Sequence, residues 1–128
     1  FRITIKLLNM YATQINVNGK TIPIRFGAYV LKKIADDGIR LQDLSDHIAN
    51  NPADIIPKII YYGAINASEE RRGDNVSLND IYDWLDEIEG GLFGDEASKV
   101  IDLFTQQMSD SVPKNSKAGK ASPQKKNG

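Results

Sequence analysis

One histidine, His47, sits within a few residues of Asp43, Asp46 and Asn51 in a chain of 128 residues. An imidazole beside carboxylates can serve as a general base, but that chemistry also needs a nucleophile in reach and a group that orients the base. The sequence around His47 supplies no such pair, so His47 reads as a surface or helix-end residue. A second concentration of ionisable groups runs through Asp83, Asp86, Glu87 and Glu89. Carboxylates bind hard cations, yet a calcium loop needs alternating oxygen ligands around a glycine turn, and that spacing is missing. The cluster reads as a solvated face, or as a docking surface for a basic partner, since charge complementarity speeds encounter. Gly90, Gly91 and Gly94 lack the Gly-Lys-Ser/Thr ending of a phosphate loop. There is no cysteine, which removes disulfides, thiolate metal sites and thiol nucleophiles and suits a reducing cytoplasm. The residues therefore predict a binding module with no catalytic constellation, cofactor or metal, and not an enzyme.

The net charge of −1 hides a segregation. Residues 113–128 hold Lys114, Lys117, Lys120, Lys125 and Lys126 and no acid, while residues 1–112 carry 11 basic against 17 acidic groups, a balance of −6. Between 74 and 110 ten acids face Lys99 alone. A lysine tail contacts phosphates in a salt-dependent way. This one has no aromatic residue for base stacking and no arginine, so nucleic-acid binding is the alternative reading and a solvated tail the default. Apolar content collapses after Val112, and the tail cannot bury enough surface to offset its ordering entropy, which predicts disorder over 113–128. No apolar run approaches the roughly 20 residues of a membrane span, and no secretory signal pattern is read.

The elements that position these groups follow from periodicity. Across 14–38, Ile15 and Val17 alternate before Asn18-Gly19, and Ile22, Ile24 and Phe26 alternate after it. Asn-Gly favours a type I′ hairpin turn, so two strands with one apolar face are predicted. Gly27 ends the second strand. A first helix follows with Ala28, Leu31, Ile34 and Ala35 on one side and Gly38 as its C-terminal cap. Ile39, Leu41, Leu44 and Ile48 outline a short second helix ending at Asn50-Asn51. Asn51 caps a third helix with Pro52 at its first position. Ile55, Ile56, Ile59, Ile60, Tyr61, Tyr62, Ala64 and Ile65 ring that helix nearly all round, which marks it as central and buried. Pro57 either lies in its first turn, with a start near Asp54, or bends it. After a polar connector over 69–75, Ser77 and Asp80 form a capping box. It opens a fourth helix striped by Leu78, Ile81, Trp84, Leu85 and Ile88 and ended by Gly90-Gly91. Asp95 is expected to cap a fifth helix turning Ala97, Val100, Ile101, Phe104 and Met108 inward. Residues 1–8 alternate Ile3, Ile5 and Leu7 and read as a strand. The chain begins at Phe1, and Met10 is a candidate natural start that would make 1–9 an accessory segment. The fold class is α+β, mostly helical: an N-terminal β-hairpin, about five short helices and a disordered basic C-terminal tail, with one domain over 1–112.

The order of these pieces resembles a known family. The run INVNGKTIPIRFGAYVLKKIADDGI, the short helix with Leu41 and Leu44, and the apolar helix ending YYGAINAS resemble the tail assembly chaperones of long-tailed, siphovirus-like bacteriophages. Those proteins open with a strand, an Asn-Gly-Lys turn, a strand, Phe-Gly and a helix. The likeness covers 14–68, roughly half of the chain; residues 1–9 precede the point where the family usually starts. It implies a chaperone that binds the tape measure protein and keeps it soluble in the host bacterial cytoplasm until tail tube subunits polymerise, and that is not retained in the virion. It also implies a frameshifted longer form that recruits the major tail (tube) protein; an adenine run encoding Lys125-Lys126-Asn127 would suit the slip. A homo-oligomer would let a short domain coat a long client. A client of this kind needs apolar grooves between helices, and the candidate contact residues are Tyr29, Tyr61, Tyr62, Leu92 and Phe93. For the tyrosines, core packing is the competing assignment; for Leu92-Phe93 it is a plug closing the core.

Overall fold

Asn18 and Gly19 take φ of 52° and 81°, the left-handed pair that a type I′ turn requires. They join β1 (Ala12–Val17) to β2 (Lys20–Arg25) in a two-stranded antiparallel sheet with Val17 opposite Lys20 and Ile15 opposite Ile22. The computed structural model describes residues 11–110; the strand expected over 1–8 and the tail over 113–128 lie outside the described residues. The Phe26 amide donates to the Tyr11 carbonyl at 3.0 Å, which sets the alternation of bonded pairs along the hairpin. Pro23, opposite Gln14, falls at a position whose amide faces away from β1, so its missing N–H costs the ladder nothing. Ile15, Val17, Ile22, Ile24 and Phe26 are all buried, as their alternation predicts.

Helix α1 (Ala28–Asp36) follows Gly27 and stops in a Schellman motif. Gly38, at φ 86°, donates its amide to Ala35 at 2.9 Å, and the Ile39 amide reaches back to Ile34 at 3.3 Å. The buried side of α1 is not the one expected. Val30 and Ile34 are buried, Leu31 is half-buried, and Ala28 and Ala35 face solvent. A methyl group gains little from burial, so the stripe rotates to put the larger branched side chains inside. A 3₁₀ turn (Leu41–Asp43) then leads into α2 (Leu44–Asn50). Leu44 is fully buried, but Leu41 sits in the 3₁₀ turn, out of phase with α2, and is exposed.

Helix α3 (Pro52–Ala67) is the axis of the fold and touches β2 and every other helix. It starts at Pro52, so Pro57 is an interior residue, not a first-turn residue. Asn51 precedes it without a side-chain cap. Gly63 lets α3 approach the hairpin: a Cβ there would lie 2.7 Å from Ile24 Cγ2 and 2.8 Å from Phe26 Cε1. One turn on, Asn66 is buried and grips the end of β2. Its Nδ2 donates to the Arg25 carbonyl at 2.9 Å, and Arg25 donates back to the Asn66 carbonyl at 2.8 Å. Asn66 Oδ1 accepts from Arg71 Nε at 2.8 Å, which ties down a connector where Glu70 and Arg71 both take φ of 55°.

The capping box forms with both arms: Asp80 N–H to Ser77 Oγ at 3.1 Å and Ser77 N–H to Asp80 Oδ2 at 3.0 Å. It opens α4 (Leu78–Glu87), which buries Ile81, Trp84 and Leu85. Helix α5 (Asp95–Asp110) buries Ala97, Val100, Phe104 and Gln107. Asp95 is its first residue and not its cap; the Gly94 carbonyl accepts the first bond, from Ser98, at 3.0 Å. Phe104 meets Phe26 edge-on at 5.4 Å, and the Tyr11 hydroxyl donates to Asp110 at 2.6 Å, joining the two ends of the described chain.

Gly63→Ala is expected to cost about 1–3 kcal/mol, because the added methyl overlaps two buried side chains. Urea unfolding would register this as a lower midpoint at unchanged m-value. An unchanged midpoint would mean that α3 can slide off the hairpin freely.

Candidate functional site

Pro57 lacks an amide, so the Ala53 carbonyl, four residues earlier, loses its helical partner. The Tyr82 hydroxyl from α4 takes that place, donating to the Ala53 carbonyl at 3.0 Å. This contact sits in a groove of about 270 Å³ lined by Ala53, Pro57, Tyr82, Leu85, Asp86, Ile88, Gly91 and Leu92. The far wall is a short 3₁₀ turn (Gly91–Phe93) between α4 and α5. Three glycines make that turn possible. Gly90 and Gly91 take φ of 82° and 60°, and a Cβ on Gly94 would lie 2.3 Å from the Glu89 carbonyl. Only glycine allows the backbone to close this tightly. The turn holds Leu92 half-buried in the groove and presents Phe93, 77% exposed, to solvent.

The rim is acidic. Asp83, Asp86, Glu87 and Glu89 are all exposed. None of them forms an ion pair among the described residues, whereas Asp36, Asp43, Asp54, Glu69, Glu70 and Asp74 do. At 100° per residue, Tyr82 and Asp86 lie one turn apart on the groove side of α4, with Asp83 and Glu87 on the next strip round. Among the described residues no group of three or more His, Asp or Glu side chains is placed to hold a metal ion.

The five candidate contact residues separate. Leu92 lines the groove, and Phe93 is the exposed last residue of the turn that forms its far wall. Tyr29 is half-buried against the opposite end of α3, with the Arg71 guanidinium 5.3 Å over its ring. Tyr61 is half-buried beside Tyr62, ring centres 6.0 Å apart. Tyr62 is a core residue and not a presented one: it is buried, and its hydroxyl donates to Asp37 at 2.5 Å, pinning the end of α1 to α3. Burial pushes its phenol well above the usual tyrosine range, and the Asp37 hydrogen bond and carboxylate charge add to the shift. His47 lines a separate shallow depression with Asp43, Asp46, Asn50 and Asn51. Trp84 is buried in the core, as its place on the apolar stripe predicts.

Sequence reasoning named Leu92 and Phe93 but missed Tyr82 and Pro57 as the groove's other side. Its one available signal was the interior proline, which predicts an orphaned carbonyl at Ala53 but not its partner. The fold defines a small α+β, mostly helical protein with an open groove between its central helix, α4 and the Gly91–Phe93 turn. Compared with family models, curated proteins and solved structures, the chain matches none. No helix among the described residues is long and apolar enough to cross a membrane.

Two substitutions separate the groove from the core. Tyr82→Phe removes one hydrogen bond to a rim carbonyl and is expected to cost about 0.5–1.5 kcal/mol; Phe93→Ala is expected to stay within about 0.5 kcal/mol of the parent. A large loss for Phe93→Ala in thermal unfolding would make Phe93 a structural plug.

Tyr62 predicts a pH dependence. Its phenol pKa is higher folded than unfolded, so its contribution to stability is complete below about pH 10 and is lost as pH rises above it. Stability measured by urea between pH 8 and pH 11 should therefore fall more steeply for the parent than for Tyr62→Phe. Parallel curves would remove the proposed linkage.

Proposed function

We propose that this protein is a bacteriophage tail assembly chaperone, which binds and solubilises the tape measure protein and helps recruit tail tube subunits without entering the virion. The observation that carries the reading is the order of pieces over 14–68. An Asn-Gly-Lys hairpin, a Phe-Gly hinge, a glycine-stopped helix, a leucine turn and a buried helix follow one another as they do in that family. The groove gives the role a physical means. An aggregation-prone helical client is kept soluble by covering its apolar stripe, and Phe93, Leu92 and Tyr82 offer an apolar edge for that contact. The acidic surface keeps a loaded complex dispersed. In this reading the protein works in the host bacterial cytoplasm. A frameshifted longer form, produced near Lys125-Lys126, brings in the major tail protein, and several copies coat one client. The nucleic-acid alternative rests on lysines outside the described residues; the described residues carry 9 basic against 17 acidic groups.

Co-expression with the tape measure protein of the same phage, followed by size exclusion with mass determination, tests the proposal. The expected result is a soluble co-eluting complex with many copies of this chain per client. Insoluble client beside free chain, with both the short and the frameshifted form, would overturn it.

A further inference from the structure

We infer that the groove between α3, α4 and the Gly91–Phe93 turn is a docking site for a basic amphipathic helix that inserts a large apolar side chain beside Phe93. The inference rests on the chaperone reading only for the identity of the natural client, and it narrows that client to segments with lysine or arginine flanking the apolar stripe.

Three features lead to this occupant. The groove, at about 270 Å³, is at or below the size of small-molecule sites and lies open to solvent, so it suits an anchor side chain of a larger partner. Its lining includes the apolar Pro57, Leu85, Ile88 and Leu92, and Phe93 stands exposed on the turn that forms one wall. A lone aromatic at 77% exposure, held on a glycine-locked turn, pays little ordering entropy when a partner covers it. The third feature is charge. Asp86 lines the groove, Asp83 and Glu87 occupy the next strip of α4, and Glu89 lines the neighbouring depression, all exposed and with no ion-pair partner among the described residues. Asp95 and Glu96 extend the same sign past the turn, both exposed and likewise unpaired. A second copy would bring an identical acidic rim against this one, which like-charge repulsion opposes. An acidic client would meet the same barrier. A basic helix satisfies the rim while its apolar stripe fills the groove, and the i, i+3, i+4 spacing of Asp83, Asp86 and Glu87 matches one-turn spacing on the partner.

The test uses two fluorescein-labelled peptides of about 18 residues with the same leucine stripe, one with lysine and one with glutamate at every other polar position. Binding to the full chain is read by fluorescence anisotropy at about 50 and about 200 mM salt. The lysine peptide is expected to bind at least about tenfold tighter than the glutamate peptide at low salt, with the gap narrowing at high salt. Phe93→Ala should weaken the lysine peptide about tenfold with the circular dichroism melt unchanged. The combined change Asp83→Asn, Asp86→Asn, Glu87→Gln should erase the preference between the two peptides. Equal binding of both peptides to the parent would overturn the inference. So would lysine-peptide binding indifferent to Phe93→Ala, which would mark diffuse charge attraction. A sedimentation mass that falls on Phe93→Ala would assign the groove to a second copy. A tighter lysine peptide after glutamine replaces Lys114, Lys117, Lys120, Lys125 and Lys126 would assign it to the chain's own tail; either result overturns the assignment made here. No phage protein enters this assay, so its failure leaves the co-expression result to stand or fall separately.

Discussion

The contact between α3 and the hairpin is the constraint on which the rest depends. A two-stranded sheet is marginal alone, because it has one apolar face and little to press it against. Here Gly63 removes the side chain that would hold the layers apart, and Ile24 and Phe26 settle into the space. Asn66 then fixes the register of the two layers, since its side-chain amide donates to the Arg25 carbonyl and its backbone carbonyl accepts from the Arg25 guanidinium. Packing alone is non-directional and would allow α3 to slide along the sheet. The buried amide does not, because any shift strands polar groups away from water. Once α3 is fixed, α1 is held to it through Tyr62 and Asp37 and α4 through Tyr82, while α5 meets the hairpin through Phe104 and Phe26.

The groove follows from a defect in that same helix. An interior proline normally destabilises a helix through one lost bond and one steric clash. The cost here is limited because Pro57 is buried and the freed carbonyl is bonded by Tyr82. The arrangement draws α4 toward the N-terminal half of α3 without closing the space between them. The glycine-rich turn then completes the wall from the other side. The chain thus keeps an apolar opening on its surface at a place where both walls are anchored.

Much of this was legible in the sequence where the signal was local. Asn18-Gly19, the Ser77–Asp80 box and Gly38 are each specified by a few adjacent residues, and each took its expected geometry. The all-round apolar pattern of α3 correctly placed it at the centre. The misreadings share a cause: position in space, not residue type, decided them. Ala28 and Ala35 match the helical period but are too small to claim the core against Val30. Leu41 counts as apolar, yet the 3₁₀ turn removes it from the phase of α2. Asp95 has the chemistry of a cap, but Gly94 already holds that place. Asn66 and Tyr82 act through partners 41 and 29 residues away, which no local window contains. Of the groove, Leu92-Phe93 stood out because glycines bracket it; the opposite wall required knowing that α4 crosses α3 at Pro57.

Charge placement distinguishes the two ends of α3. At its C-terminal end, Arg25 and Arg71 bond to Asn66, so their donors serve the fold. Near its N-terminal end Asp83, Asp86 and Glu87 of α4 have no ion-pair partner among the described residues. Fold stability gains little from exposed carboxylates, and crowding them along one helix costs a few tenths of a kcal/mol per like-charged pair at about one-turn spacing. Solubility alone would be served as well by spreading the same charges around the surface. Under the docking inference, their placement near an apolar groove gives that surface its preference among partners: like charge opposes acidic and self contacts, and the apolar anchor is left for a partner of opposite sign.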